Sequence, residues 1–225
     1  MNLPILSILI FLPLVGVFFL VFTRGDEHFI RKASINVSLI TSLLTLLISI
    51  FIWFNFDKTT AEFQFVEEKK WIRDFINYKV GIDGVSLVFI ILTSIIVPIC
   101  IVSTSNSVSV RIREFLISIL LMETLMLGVF CSLDLFIFFL FFEAGLIPMF
   151  LIIGIWGGDR RVYSAFKFFL YTLFGSVFML IAIIFIYFEY GSLDVIKLLQ
   201  LDIDQKYQKY LWLGFFASFA VKTPM

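Results

Sequence analysis

The sequence contains few of the residues that hold metals and redox groups. Cysteine occurs only twice, at Cys100 and Cys131, both within apolar runs, and the single histidine is His28. A Cys/His cluster for zinc, haem or iron–sulfur ligation is therefore excluded. The densest glycine pairs match neither a dinucleotide-binding fingerprint nor a phosphate loop. We expect no cofactor and no metal to bind this chain, and no redox centre within it.

Net charge is also absent, since 17 basic and 17 acidic residues cancel. No strong field would attract nucleic acid, which we exclude as a partner. Apolar residues are abundant instead: 61% of the 225 residues are hydrophobic and 30 are phenylalanine. This share exceeds that of ordinary soluble domains and predicts an integral membrane protein surrounded by the lipid bilayer.

Long apolar runs predict the fold class. A helix needs about 20 apolar residues to cross roughly 30 Å of hydrocarbon, and the runs are continuous rather than alternating, which favours helices over barrel strands. The first run lacks the positive flank and cleavage site of a signal peptide. We predict an all-α, polytopic transmembrane bundle of about seven helices. The seven runs cover 3–22, 34–54, 84–104, 112–131, 132–156, 163–188 and 209–225.

Two long loops and three short ones connect the runs. The loops 55–83 and 189–208 are polar and long enough to hold short helices or a hairpin. The short loops are dense in Lys and Arg, and alternating passes would place all three on one side. The positive-inside rule makes that side cytoplasmic. The basic residues are Arg24, Arg31, Lys32, Arg111, Arg113, Arg160 and Arg161.

Two glutamates lie deep in apolar runs. Glu143 is near the centre of the fifth run and Glu123 is at a similar level in the fourth. An ionised carboxylate there costs several kcal/mol and is a functional hypothesis by default. Such a carboxyl group can load and release a proton as water or a cation approaches. Each could alternatively anchor helix packing through a hydrogen bond.

Lysine also occurs within the apolar runs. Lys222 lies about 13 residues, or roughly 20 Å, into the seventh run, and a desolvated lysine, unlike arginine, can alternate between charged and neutral states. Pro224 cannot donate to Ala220, so a helix break is expected beside Lys222. A helix end leaving the membrane is the alternative. Lys167 is close to the start of its helix, where its long stem can also reach the interface.

Three stretches together carry a family resemblance. They are YKVGIDGVSLVFIILT at 78–93, DLFIFFLFFEAGLIPMFLIIGIWGGDRRVYSAFKFFLYTLFGSVFML at 134–180, and FFASFAVKTPM at 215–225. They resemble the antiporter-like membrane subunits of the proton-pumping NADH:quinone oxidoreductase, respiratory complex I, and among these the chain 4 or M type. The glutamate, the LIPM step, the WGG turn and the KFFLYT helix are the most specific features.

The resemblance implies a proton-translocating role. Glu143 resembles the fifth-helix glutamate and Lys222 the lysine beside the break in the seventh helix, which form the family's charge-coupled pair, while Glu123 resembles the fourth-helix glutamate. We expect Glu143, Lys222, Glu123 and Lys167 to serve proton translocation and Pro224 to break the last helix. NADH, FMN, iron–sulfur clusters and quinone would bind partner subunits, and neighbouring antiporter-like membrane-arm subunits would be the partners.

The resemblance also implies a domain organisation. Residues 1–111 would hold helices one to three with the extramembrane loop 55–83, and 112–225 would begin the proton-conducting repeat with helices four to seven. Family members are about twice as long, and the chain stops within an apolar run, so we expect an N-terminal fragment. It would reside in a bacterial cell membrane, or in the mitochondrial inner membrane if organelle-encoded.

Two other functions remain compatible with these residues. A subunit of a multisubunit cation/proton antiporter would carry a similar Glu/Lys pair. A truncated structural remnant would occupy a place in a membrane assembly without pumping. The leading interpretation is a subunit of the NADH:quinone oxidoreductase that couples electron transfer to proton transport without containing the redox site.

Overall fold

A computed structural model describes residues 4–72, 76–108 and 110–223. Over these residues the chain forms nine helices and two β-strands, so the predicted helical membrane bundle is confirmed. The helices are α1 (Ile5–Phe22), α2 (Glu27–Asn55), α3 (Gly84–Ser107), α4 (Ile112–Cys131), α5 (Leu135–Ala144), α6 (Leu146–Trp156), α7 (Arg161–Tyr190), α8 (Val195–Leu198) and α9 (Gln205–Lys222).

Six segments are long and apolar enough to cross a membrane. They are α1, α2, most of α3, α4, the α5–α6 pair and α7. Many of their large apolar side chains are exposed in the isolated chain, as expected of surfaces that face lipid. α9 occupies the place of the seventh predicted run, but its 18 residues include Lys206, Lys209 and Lys222 and it is not among these six. The chain is a multi-pass membrane protein.

The loop 55–83 contains a pair of strands, β1 (Gln64–Ile72) and β2 (Ile76–Ile82). Only three residues separate them, which requires antiparallel pairing because parallel strands need a longer crossover. This confirms the hairpin that was one of two predicted alternatives and adds a small sheet to the helical bundle. Glu67 of β1 accepts hydrogen bonds from the backbone N–H groups of Leu6, at 2.8 Å, and Ser7, at 3.2 Å. It thereby satisfies free donors at the start of α1.

The first compact unit comprises Met1–Glu67 and Val80–Cys131 and contains α1 to α4. Its apolar core is formed by Leu20, Val97, Ile101, Ile112, Leu116 and Leu120. α1 approaches α2 closely at Gly16, where a Cβ atom would lie only 2.7 Å from Thr41 Oγ1. Small residues at such crossings allow membrane helices to pack tightly.

The arginine-rich loops of this unit lie at one end, as predicted. Arg31 donates to the carbonyl oxygen of Val108 at 3.1 Å, and Arg113 donates to that of Thr23 at 3.2 Å. These bonds join the start of α2 to the residue that follows α3, and the start of α4 to the residue that follows α1. Which side of the membrane this end faces stays a prediction.

The second compact unit comprises Glu68–Lys79 and Ser132–Met225 and contains α5 to α9. α7 packs along α9 around Met179, Ala182, Ile183, Ile186, Leu193 and Leu211. The tight turn predicted near Ser132 and Asp134 lies between the end of α4 and the start of α5. α4 groups with the first unit, while the predicted start of a proton-conducting repeat at residue 112 is a functional division and stays a prediction.

Candidate functional site

The fifth span is interrupted within its apolar sequence. α5 ends at Ala144 and α6 begins at Leu146, with Gly145 between them at φ −59° and ψ −20°. Pro148 has no backbone N–H and cannot donate to the carbonyl of Ala144, its partner in a continuous helix. Prolines in apolar runs predict kinked or broken helices; the fifth span is interrupted one turn from its proline, whereas α1 and α3 continue through Pro13 and Pro98. The break lies one turn or less from Glu143.

Lys222 is held at the broken end of α5. Its Nζ donates a hydrogen bond to the carbonyl oxygen of Phe142 at 2.6 Å and lies 3.1 Å from the centroid of the Phe142 ring. The carbonyl end of a helix carries a partial negative charge that favours a cation, and an aromatic face attracts an ammonium group. The last residue of α9 is therefore anchored to the last turn of α5.

Glu143 lies next to this anchor. Both of its carboxylate oxygens are buried, and neither has a hydrogen-bond partner among the described residues. Lys222 interacts with it electrostatically, and Ser176 of α7 lies close to it. The Ser176 hydroxyl donates to the carbonyl of Leu173 at 2.8 Å, which leaves its oxygen as an acceptor. The structure thus brings Glu143 and Lys222 together as the sequence predicts.

This arrangement can hold a proton on either of two neighbouring groups. The carboxyl group of Glu143 and the amine of Lys222 interact without a direct hydrogen bond. Either group can therefore gain or lose a proton without having to move. The Phe142 carbonyl fixes the amine, while the helix fixes the carboxyl group.

Glu123 belongs to the first unit. It lies on the buried face of α4 with 0% of its surface exposed, and its two oxygens lack a hydrogen-bond partner within the part of the chain that the structure describes. The neighbouring Thr124 is 2% exposed, and its hydroxyl is likewise unpartnered there. A second buried carboxyl group is therefore present, as predicted, among the helices of this unit.

Two other predicted site residues, Lys167 and Pro224, are not part of the Glu143–Lys222 pair in the described structure. Lys167 is exposed two turns into α7, and its Nζ lies 6.0 Å from the ring centroid of Tyr163. This position suits a side chain that reaches the interface, and this ring contact involves neither Glu143 nor Lys222. Pro224 lies outside the described residues, so the break predicted beside Lys222 stays a prediction. α9 itself ends at Lys222.

A buried ion cluster was not predicted. Lys79, in the middle of β2 and 8% exposed, contacts Asp194 Oδ2 at 2.6 Å and Glu68 Oε2 at 3.6 Å. Asp134 and Asp194 lie opposite each other in an antiparallel bridge. The backbone of Lys79 also accepts a hydrogen bond from Leu133 N at 2.9 Å. The cluster joins the hairpin to the segments that precede α5 and α8.

Both aspartates in this cluster also begin helices. Asp134 accepts from Phe136 N at 2.9 Å and Ile137 N at 3.2 Å, and Asp194 accepts from Ile196 N at 3.0 Å. Burial raises the pKa of Asp134, an effect that these backbone N–H groups oppose and the charge of Asp194 reinforces. An aspartate directly before an apolar run was the available sequence signal. No sequence signal indicated the pairing of Asp194 with Lys79, because 115 residues separate the two.

No metal centre is evident over the described ranges. No group of three or more His, Cys, Asp or Glu side chains lies together there, and both Cys100 and Cys131 are free thiols. The prediction that redox groups belong to partner subunits is not tested by this observation and stays a prediction.

Comparison with known proteins identifies what the chain is similar to. Residues 132–225 match the family described as NADH:quinone oxidoreductase/Mrp antiporter, transmembrane. The chain is 44% identical over 228 residues to NADH-quinone oxidoreductase subunit M of Rickettsia prowazekii, which covers 100% of this chain and 46% of that protein. It is 48% identical over 223 residues to NADH-ubiquinone oxidoreductase chain 4 of Marchantia polymorpha, which covers 98% of this chain and 44% of that protein.

A solved structure shares the fold. A chain of respiratory complex I from Thermus thermophilus with bound NADH superposes with a TM-score of 0.82 at 26% sequence identity, over 97% of this chain and 44% of that chain. The chain therefore spans less than half the length of the proteins it matches. The resemblance drawn from the three sequence stretches is confirmed.

Proposed function

We propose that this chain, which belongs to the family of antiporter-like membrane subunits of NADH:quinone oxidoreductases, is part of a proton-translocating subunit of such an oxidoreductase. It serves the complex by moving protons while electrons pass from NADH to quinone in other subunits. Its partners are other membrane-arm subunits, in a bacterial cell membrane or a mitochondrial inner membrane. NADH, FMN, iron–sulfur clusters and quinone bind those partners rather than this chain.

The observation that carries the proposal is the position of Lys222 beside Glu143. The Lys222 amine donates to the Phe142 carbonyl at 2.6 Å, and the Glu143 carboxyl group is buried without a partner. A proton that reaches Glu143 neutralises it and weakens its attraction for the charged lysine. Lys222 then releases its own proton onward, and the neutral amine accepts the next proton from Glu143. Glu123 serves as a further proton-carrying carboxyl group.

The named relatives support the oxidoreductase over the antiporter alternative. The proteins at 44% and 48% identity are both named as NADH oxidoreductase subunits, whereas the family that residues 132–225 match includes both classes. The Glu143–Lys222 pair itself suits either function, because both require a carboxyl group and an amine that exchange protons.

The test is Glu143→Gln in the assembled complex within sealed membrane vesicles. The amide keeps the size of the side chain but cannot carry a proton, so we expect NADH-driven proton uptake to fall at least about tenfold. Glu189→Gln, an exposed glutamate near the end of α7, is the matched control and should pump normally. Normal proton uptake by Glu143→Gln in a fully assembled complex would refute the proposal. Proton movement driven by a sodium gradient but not by NADH would favour the antiporter.

A further inference from the structure

The buried face of α2 is lined with hydroxyl groups. They recur every three or four residues and so form one stripe along the helix. Most donate to carbonyl oxygens of their own helix, as Thr41 does to Val37 at 2.8 Å and Thr45 to Thr41 at 3.1 Å. The stripe consists of Ser34, Ser38, Thr41, Ser42, Thr45 and Ser49.

Two hydroxyls of the stripe differ from the rest. Ser34 and Ser38 are each 0% exposed, and their Oγ atoms have no hydrogen-bond partner among the residues with described side chains. Small side chains alone would explain close helix packing, but they do not explain polar atoms that are buried and unsatisfied. Such groups ordinarily bind protein atoms or ordered water.

The same stripe leads to Glu123. The position of a Cβ atom at Gly16 lies 2.7 Å from Thr41 Oγ1 and 3.0 Å from Leu120 Cδ1, so Thr41 and Leu120 are level. α2 and α4 both start from the arginine-rich end and run in the same direction. Thr45 is therefore level with Glu123 and Thr124 of α4. Like the Oγ atoms of Ser34 and Ser38, the side-chain oxygens of Glu123 and Thr124 are buried without a hydrogen-bond partner among the described residues.

α3 adds hydroxyls at this level. It runs antiparallel to α4, with Phe89 stacked on Phe130 at 5.2 Å between ring centroids, and Val97 in the same core as Leu120. This register brings the buried Thr93 and Ser94 to the level of Glu123. Their hydroxyls donate to the carbonyls of Phe89 and Ile90, so their oxygens remain acceptors.

A charged cavity lies about one helical turn beyond the other end of the stripe. This cavity of about 410 Å³ lies in the first unit and is lined in part by Glu27, Arg31, Arg111 and Arg113. Ser34 follows Arg31 by three residues, or roughly one helical turn. Ser34 and Ser38 thus lie between a polar cavity and the buried carboxyl group of Glu123.

We propose that water enters from this cavity and binds along the α2 hydroxyls as far as Glu123, forming a path that supplies protons to it. Hydroxyls three or four residues apart are about 4.5–6 Å apart along a helix, which is close to the span of one water that makes two hydrogen bonds. Each water would satisfy the unpartnered serine hydroxyls and relay a proton by exchanging hydrogen bonds. This places α2, outside the Glu143–Lys222 pair, in the transport route.

The inference rests on the proposed function for its purpose, because a path to Glu123 matters only if Glu123 carries protons. The hydration of the path can be tested without measuring pumping. The assembled complex is transferred from H₂O to D₂O, and infrared spectroscopy follows the carboxyl band that disappears in Glu123→Gln. The test variant is Ser34→Ala/Ser38→Ala. The matched control is Ser49→Ala, about one helical turn beyond Thr45 and the level of Glu123, whose hydroxyl donates to Leu46 of its own helix.

We expect the test variant to slow deuterium exchange at Glu123 by roughly tenfold, because each lost hydroxyl removes a hydrogen bond from a bound water. The control should exchange at the wild-type rate. If the double variant does not assemble, Ser38→Ala alone should still slow exchange more than Ser49→Ala. Equal rates in the test and control variants, or no carboxyl band that depends on Glu123, would overturn the inference.

The outcome is separable from that of the proposed function. NADH-driven pumping by Glu143→Gln is measured in the same preparations. Slow exchange in Ser34→Ala/Ser38→Ala supports the water path even if Glu143→Gln pumps normally. Unchanged exchange refutes the path even if Glu143 proves essential for pumping.

Discussion

Lys222 and Phe142 are joined by a hydrogen bond of 2.6 Å from an ammonium nitrogen to a backbone carbonyl, one residue before Glu143. A neutral amine still has N–H donors, so this bond can persist after Lys222 loses a proton. A direct ion pair with Glu143 would lose its charge attraction in the same event. The carbonyl can therefore hold the amine in place in both protonation states, as the proposed proton relay requires.

Lys222→Arg separates positive charge from proton release. Arginine keeps the charge and the donors but stays protonated, so we expect a complex that assembles yet pumps at least about tenfold less. Native gel electrophoresis measures assembly, and NADH-driven acidification of vesicles measures pumping. Lys206→Arg, near the exposed start of α9, is the matched control. Wild-type pumping by Lys222→Arg would show that a fixed charge is sufficient.

Pro148→Ala should repair the break in the fifth span. An alanine at position 148 has a backbone N–H that can donate to the carbonyl of Ala144. This hydrogen bond stabilises a continuous helix by up to about 3 kcal/mol. A continuous hydrogen-bond ladder through Gly145 would change the surroundings of the Phe142 carbonyl that holds Lys222, so we expect proton uptake to fall while thermal stability is kept. Pro13→Ala in α1 is the control for loss of a helix proline. Undiminished pumping would separate the break from transport.

Gly175→Ala should disturb the contact between α7 and α9. A Cβ atom at Gly175 would lie 2.8 Å from Val221 Cβ, whereas one at Gly158 meets nothing within 4 Å. Overpacking at Gly175 should cost about 1–3 kcal/mol and displace Lys222, the residue after Val221. Thermal unfolding in detergent and proton uptake should both decline. Gly158→Ala should leave both unchanged, and equal behaviour of the two variants would contradict this account.

Local sequence features predict much of the membrane fold. Continuous apolar runs define the helices because each helix satisfies its own backbone hydrogen bonds in lipid. Glu143 and Lys222 were identifiable because charge is rare in such runs. The polar composition of 55–83 allowed a hairpin but could not select it over a short helix, since strand pairing depends on contacts with the other strand.

Features that depend on distant contacts could not be predicted in this way. Lys79 looked like one of several loop lysines, and only the fold brings it to Asp194. The anchor of Lys222 is a backbone carbonyl, which every residue carries, so no residue type identifies it. Likewise, serines in a membrane helix are typical of close packing. Only the folded structure shows that the hydroxyls of Ser34 and Ser38 are buried without hydrogen-bond partners among the described residues.

Lys79→Met should destabilise the second unit. The lysine is buried against Asp194, and removing one member of a buried ion pair typically costs about 3–5 kcal/mol because a charge is left uncompensated. Lys79→Met/Asp194→Asn should be more stable than Lys79→Met alone, and the double-mutant cycle measures the coupling. Lys69→Met, on the exposed part of β1, is the control. Additive effects of the two changes on thermal unfolding would exclude the coupling.

Asp134 should make stability depend on pH. Burial raises its pKa above the ordinary value of 3.8 in the folded chain, despite hydrogen bonds from Ile137 and Phe136. The folded state therefore binds this proton more tightly than the unfolded state, and the associated stability is lost as pH rises from about 3.8 through the higher folded pKa. Asp194, the charge that strengthens the effect, is itself paired with Lys79.

Asp134→Asn tests this linkage without removing the helix cap. Asparagine caps helices about as well as aspartate but does not titrate. The free energy of unfolding of Asp134→Asn should therefore lack the decline with rising pH that Asp134 causes in the wild type. The variant should be at least as stable as the wild type at neutral pH and lose that advantage in acid. Asp134→Ala should instead cost about 1 kcal/mol through loss of the cap. Thermal unfolding across the acidic range measures all three proteins, and a constant difference between wild type and Asp134→Asn would mean that Asp134 does not titrate differently on folding.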